Sequence, residues 1–262
     1  MCKIIAIANQ KGGVGKTTTC VNLGVGLVRE GKRVLLIDCD PQGNLAVCLG
    51  LEEPDNLEVT LVTVLEKVVN DEQVDYTEGI LSHEEGVDYL PANIELAGLE
   101  TTLVNVMSRE TILRQYISGL RDNYDFILID CMPSLGMMTI NALVAADSVL
   151  IPVEAAYLPA KGLQQLIKTI GRVRRQLNPR IEIEGIVLTK VDRRTNFSKD
   201  ISKKLRNAYG SQIHIFKNCI PLSVRAAEIS AEGISIYVHE PEGIAAEGYA
   251  ALTREVLSNG RT

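Results

Sequence analysis

Apolar residues in this chain fall into two alternating rhythms. Short, nearly unbroken apolar runs recur at 3–8 (KIIAIA), 33–38 (RVLLID), 125–130 (DFILID), 148–153 (SVLIPV) and 183–192 (IEGIVLTKVD). A strand with one solvated face alternates; one covered on both faces reads as continuous, so these runs predict central strands of a parallel sheet. Between them, apolar positions three and four apart predict helices over 17–30, 96–121, 136–146, 160–176 and 198–209, with shorter ones near 224–232 and 243–257. Gly31 supplies a stop after the first helix. A polar, acidic stretch at 52–88 carries one helix around 61–70, and 87–93 (VDYLPAN) reads as a short strand and turn. The apolar piece IHIF precedes the turn-rich NCIPLSVR. Strand alternating with helix predicts an α/β fold: a mostly parallel twisted sheet with helices on both faces. With no repeat, low-complexity tract or linker, residues 1–262 are read as one domain.

Composition changes this picture little. Hydrophobic residues at 46% and charged residues at 23% suit a globular chain, and no apolar run reaches bilayer length. The N-terminus lacks the apolar core of a signal peptide, which predicts a cytoplasmic protein. Six cysteines show no C-x-x-C pair or zinc-type spacing and are expected to be small buried thiols.

Charge is more telling by position than in total. The net charge is −6, yet residues 151–225 hold 15 Lys and Arg against 5 Asp and Glu. A basic segment inside an otherwise acidic chain is the electrostatic footprint of a polyanion contact.

The chemistry starts at NQKGGVGKTTT, residues 9–19. A strand, a glycine-rich loop and a helix opening in Lys-Thr give the context of a phosphate loop, although Gln10 stands where the strict G-x-x-x-x-G-K-[ST] pattern wants glycine. Gly12, Gly13 and Gly15 let backbone N–H groups converge on phosphate oxygens, and the helix start adds positive potential. Lys16 would reach the β- and γ-phosphates, and the Thr17 hydroxyl would bind Mg²⁺. Asp38, Asp40 and Asp130 end two of the apolar runs, at the sheet edge where such folds bind ligands. One carboxylate can hold the Mg²⁺ shell and another can orient water.

The segments KGGVGKTT, DCDPQGN and YDFILIDCMPSLGMMTINAL resemble the signatures of the ParA/Soj partition ATPases, within the deviant-Walker group that includes MinD. The resemblance continues through IPVEAAYLPAKGLQQL, LTKVDRRTN, IPLSVRAAEISAEG and AAEGYAALTREVL, and so covers most of the chain. It implies a P-loop NTPase fold, ATP and Mg²⁺ as ligands, and slow ATP hydrolysis by a dimer that closes over two nucleotides. The phosphate loop then runs over Lys11, Gly12, Gly13, Val14, Gly15, Lys16, Thr17 and Thr18. Lys11 matches the signature lysine that reaches across to the partner's phosphates. Asp40 matches the residue that positions the hydrolytic water, Asp130 the Walker-B aspartate, and Asp38 a group behind the metal's ligands. Pro221 and Ser223 match a segment beside the base. One departure is Met132, where the family usually has proline; it implies a changed stiffness in the switch loop. TKVD, 189–192, also resembles the guanine-reading box of GTPases, which keeps GTP open beside ATP.

In Soj-like members, arginines at positions matching Arg194 and Arg225 bind DNA without sequence preference. Lys199, Lys203, Lys204 and Arg206 fall on the helix expected after the first of them. The resemblance further implies a homodimer, a ParB/Spo0J-type partner that stimulates hydrolysis, and a nucleoid-associated cytoplasmic protein without stable membrane association. The alternative is a MinD-like membrane-positioning ATPase, which would carry a bulky amphipathic tail; this sequence ends LTREVLSNGRT. A metabolic ATP-dependent synthetase or iron–sulfur reductase on the same scaffold is a more distant reading.

Overall fold

The computed structural model describes residues 2–155, 160–192, 194–223, 225 and 232–259, with the side chains of 160 and 196–199 outside the description. Seven strands form one sheet: β1 Lys3–Ile7, β2 Val34–Cys39, β3 Leu81–Ser82, β4 Asp88–Leu90, β5 Phe126–Cys131, β6 Ser148–Glu154 and β7 Glu182–Thr189. Their spatial order is β3-β4-β2-β5-β1-β6-β7, and every pairing is parallel except β3 with β4. This is the mostly parallel, doubly covered sheet expected from the sequence.

Continuous apolar strands follow from burial on both faces. Along β1, Ile4 and Ala6 enter one core with Leu35, Ile37, Ile127 and Ile129. Ile5 and Ile7 enter the other with Val34, Leu36 and Leu128. The second core is closed by α1 Lys16–Arg29 and the terminal helix, which contribute Leu23, Leu27, Leu252 and Val256. The first is closed by α3 Leu61–Val69, α5 Ile112–Ser118, α6 Met137–Ala145 and α7 Ala160–Gln176, with α4 Glu95–Thr102 as a shorter piece, while the short α2 Asn44–Val47 adds Leu45 and Ala46 to the second. In α7 the buried residues Leu163, Leu166, Ile170 and Val173 keep helical spacing and leave Lys168, Arg172, Arg174 and Arg175 off the core.

Three boundaries differ from the sequence expectation. The helix expected over 96–121 is two helices, α4 and α5, joined by short 3-10 turns and an extended Val106. The side chain of Asn141 in α6 imposes the break: it accepts from the Leu113 N–H and donates to the Arg109 carbonyl, satisfying groups that a continuous helix would pair internally. The strand expected to reach residue 192 ends at Thr189 because Lys190 turns into the left-handed region, φ 52. IHIF forms only an isolated bridge, Ile215 to Ile186. The remaining helices are α8 Asn196–Tyr209, α9 Ile236–His239 and α10 Ile244–Asn259; the short helix expected near 224–232 lies mostly outside the described residues.

Sheet order also sorts charge. Residues 51–110, 15 acids against 2 bases, build the β3–β4 edge, whereas the basic 151–225 segment builds the β6–β7 edge and its helices.

Candidate nucleotide site

β1 delivers the phosphate loop to the carboxyl edge of the sheet. Gly13 and Gly15 hold φ of 72° and 84°, which disfavour any residue with a Cβ, and a Cβ built on Gly12, Gly13 or Gly15 would meet nothing within 4 Å. The space inside the loop is therefore open, as a cradle for phosphate requires. No side chain caps α1, so its first N–H groups face that space.

A cleft of 850 Å³ opens there. One wall is Gly12, Gly13, Gly15, Lys16, Thr17 and Thr18; the opposite walls are Asp40 to Gln42 and Asn44, Met132 and Pro133, Thr189 and Lys190, and Ile220 to Ser223. Among the expected nucleotide contacts, Lys16, Thr17, Thr18, Asp40, Pro221 and Ser223 all line it. Val14 does not, being fully buried beneath the loop.

Two carboxylates stand behind the loop as neighbours on paired strands, Asp38 opposite Asp130. Thr17 Oγ1 donates to Asp130 Oδ2 at 2.6 Å, while Asp130 Oδ1 is buried with no hydrogen-bond partner among the described residues. Burial pushes the Asp130 carboxyl up to about 7; the Thr17 hydroxyl and the Lys16 ammonium pull it down, and the Asp40 charge adds to the rise. Burial, then the adjacent Asp130, raises Asp38 well above the usual carboxylate range. Asp38 also has a structural task. Its Oδ1 accepts the Asp40 N–H at 2.9 Å and its Oδ2 accepts the Leu45 N–H at 3.1 Å, folding the loop that carries Asp40. An unpartnered, buried carboxylate oxygen beside a threonine hydroxyl fits a hard cation with oxygen ligands. Among the described residues no group of three His, Cys, Asp or Glu could hold a metal by itself, so phosphate and water oxygens would complete such a shell.

Lys11 is outside this cleft. Its Nζ lies 2.5 Å from Glu154 Oε2 at the end of β6 in the same chain. Asn9, buried, organises the approach: Oδ1 accepts the Lys11 N–H at 3.0 Å and Nδ2 donates to the Pro152 carbonyl at 2.6 Å. On the far side, Thr189 Oγ1 donates to the Val14 carbonyl at 2.8 Å and ties β7 to the loop. Sequence reasoning missed Asn9, Glu154 and Thr189 as supports. Only Thr189 left a signal, as the first residue of TKVD.

Of that box, Thr189 and Lys190 line the cleft. Asp192 is absent from the cleft lining, and its carboxylate is taken by Arg194. Met132, the departure noted above, lines the cleft beside Pro133, and Glu100 holds the following helix by accepting the Met138 N–H at 2.8 Å.

All six cysteines are free thiols, and Cys48 lines the cleft. Cys2, Cys20, Cys39, Cys48 and Cys131 are buried, and burial pushes the Cys48 thiol up to about 12.

On the basic edge, Arg194 lies in the turn that follows Thr189 to Asp192, and Arg225 is helical, two residues past the adjacent loop 220–223. The Val191 N–H bonds the Ile220 carbonyl and the Leu222 N–H bonds the Val191 carbonyl, each at 3.1 Å, so both segments start from one ladder. Lys203 and Lys204 are exposed on α8, whose Ile201 and Leu205 face the core. Arg206 turns back to the Phe216 carbonyl at 3.0 Å. The side chain of Lys199 lies outside the described residues.

Comparison with known proteins agrees with this construction. A family model described as an AAA domain matches residues 2–183. The sporulation initiation inhibitor protein Soj of Bacillus subtilis is 44% identical over 264 residues, 99% of this chain and 100% of that protein. The chromosome partitioning protein ParA of Caulobacter vibrioides is 40% identical over 261 residues, 99% of this chain and 95% of that one. Among solved structures, cobyrinic acid a,c-diamide synthase from Mycobacterium smegmatis with bound ATP analog and magnesium superposes with a TM-score of 0.87 at 33% identity, covering 100% of this chain and 97% of that one.

Proposed function

This chain belongs to the ParA/Soj family of P-loop ATPases, and from that premise we propose that it is an ATP-driven DNA-partitioning protein. In this reading ATP closes a homodimer, the dimer binds DNA without sequence preference, and hydrolysis releases it. Relatives named for chromosome partitioning support this reading over the MinD-like one. No helix among the described residues is long and apolar enough to cross a membrane.

Each step has residues to carry it. The N–H groups at the start of α1 and Lys16 would cradle the phosphates. Thr17 and Asp130 would hold Mg²⁺, which supplies charge neutralisation at the β- and γ-phosphates. Asp40, held through its N–H by Asp38, would orient the attacking water. Lys11 would leave Glu154 and reach the partner's phosphates, a charge supplied in trans that is worth roughly 10³–10⁵ in rate in other NTPases. Pro221 and Ser223 would flank the base, and the engagement of Asp192 by Arg194 favours ATP over GTP. A ParB-type partner would accelerate hydrolysis.

The observation that carries the reading is the shared ladder at Val191, Ile220 and Leu222: Arg194 and Arg225 each lie three residues along the chain from that ladder, beside the segments that wall the nucleotide cleft. A basic surface of this kind in one protomer binds DNA at roughly 10⁻⁴–10⁻⁶ M, and doubling it in a dimer raises retention through effective concentration. Size-exclusion chromatography and DNA co-sedimentation of wild type and Asp40→Ala, each with ATP or ADP, test it. The expected result is a DNA-bound dimer that accumulates for Asp40→Ala with ATP alone. A chain that stays monomeric with ATP, or whose DNA retention ignores the nucleotide, overturns the reading.

A further inference from the structure

The two arginines that would meet DNA are each already held by an acid of their own chain. Arg194 Nε donates to Asp192 Oδ1 and a terminal nitrogen donates to Oδ2, both at 3.0 Å, in the two-pronged geometry that a guanidinium also offers to phosphate. The Arg194 side chain is 88% exposed and that of Asp192 only 24%, so the carboxylate is the sheltered partner and the guanidinium the accessible one. The same Oδ1 accepts the Arg194 N–H at 3.0 Å, which fixes the turn. Arg194 holds the Asp192 carboxyl below the usual carboxylate range, so the acid stays charged wherever DNA is intact. Three residues beyond Leu222, Arg225 Nε lies 3.7 Å from Glu240 Oε1, with exposures of 60% and 29%. The pattern repeats: an exposed arginine backed by a more sheltered acid, twice, each arginine three residues along the chain from one ladder.

Phosphate and carboxylate compete for the same guanidinium donors. We propose that Asp192 and Glu240 are built-in competitors for nucleic-acid phosphate, lowering the DNA affinity of a single protomer so that retention requires the doubled surface of a dimer. The proposal rests on the DNA-binding reading above and adds to it a device that sets the threshold. An exposed ion pair shifts an equilibrium by at most about fivefold. A dimer engages four such pairs, so their joint removal should tighten binding on the order of tenfold or more.

Anisotropy of a labelled DNA duplex of arbitrary sequence, at fixed salt and with ATP or ADP, reads this directly. Asp192→Asn keeps an oxygen for the Arg194 N–H and removes only the charge; Glu240→Gln removes the charge facing Arg225. Together they should tighten ATP-dependent binding about tenfold and make binding measurable with ADP. In an Arg194→Ala background, Asp192→Asn should add nothing, because the competitor acts only through that guanidinium. Acid variants that bind like wild type, while Arg194→Ala with Arg225→Ala binds weakly, overturn the competitor and leave the DNA surface standing. A gain of equal size with and without Arg194 also overturns it, since the cause is then diffuse charge. Unchanged binding by the double arginine variant instead removes the DNA surface itself, and the competitor with it.

Discussion

Thr17 and Asp130 meet at 2.6 Å across the gap between the first helix and the fifth strand, with the threonine hydroxyl donating and one carboxylate oxygen accepting. The other Asp130 oxygen is buried and unpartnered among the described residues. A buried polar atom of that kind costs about 1–3 kcal/mol, which a bound cation would recover. Asp130→Asn should therefore weaken MgATP binding at least about tenfold, a typical loss when the support of a metal is damaged. It should leave binding of ATP in EDTA nearly unchanged. Calorimetric titration with and without Mg²⁺ checks the split; equal losses in both would mean that Asp130 serves the fold rather than a metal.

Asn9 ties the start of the phosphate loop to a strand far along the chain: it accepts from the Lys11 amide and donates to the Pro152 carbonyl in β6. Asn9→Ala leaves both without this partner in a buried place, at a cost of about 1–3 kcal/mol. For a chain of this size that lowers the melting temperature by roughly 2–4 °C per kcal/mol. ADP affinity should fall with it, because the phosphate loop begins at Lys11. Lys11→Ala, by contrast, should keep ADP affinity and abolish ATP-dependent dimerisation, readable by light scattering. A Lys11→Ala chain that still dimerises with ATP would remove the trans role.

Arg33 and Asp125 close the entry ends of β2 and β5. The guanidinium donates to both carboxylate oxygens, at 3.3 and 3.1 Å, and the Arg33 N–H adds a third bond at 2.9 Å. The arginine side chain and then its backbone N–H hold the Asp125 carboxyl down at about 2, against an ordinary value of 3.8. A depressed carboxylate contributes stability that is complete above about pH 4 and vanishes as pH falls through about 2. With exposures of 59% and 37% the pair is screened, and it contributes only a small amount. Asp125→Asn should lower stability at pH 7 by that amount and make the acid limb between pH 4 and 2 shallower, as followed by urea melts. An unchanged acid limb would show that the pair is no stronger in the native state than in the unfolded chain.

Much of the fold was legible because burial on both sheet faces writes itself as unbroken apolar runs, as at Val34–Cys39 and Phe126–Cys131. The glycines of the phosphate loop and the strand-end acids were legible because local backbone geometry dictates them. What escaped depends on partners far along the chain. The break between α4 and α5 is enforced by Asn141, and apolar spacing runs across it without a mark. Glu154 lies 143 residues from Lys11, and no spacing rule connects them. Asp192 was ambiguous for another reason: four residues cannot say whether an aspartate faces a base or an arginine two positions on.

Gly26, in the middle of α1, separates helix propensity from packing. On propensity alone, Gly26→Ala should stabilise the helix by about 1 kcal/mol. The structure argues the opposite sign, because an added Cβ would overlap Thr253 Oγ1 on α10 and lie 2.6 Å from the Tyr237 hydroxyl. Both neighbours are buried, and Thr253 is fixed by its own bond to the Tyr249 carbonyl at 2.9 Å. Overpacking of a closed interface costs about 1–3 kcal/mol, so the clash outweighs the propensity gain. Gly26→Ala should lower the melting temperature by a few degrees. Gly98→Ala in α4, where a Cβ meets nothing within 4 Å, should raise it slightly or leave it unchanged. Differential scanning calorimetry of the pair decides the matter: two shifts of the same sign would mean that α1 and α10 yield more readily than their packing implies.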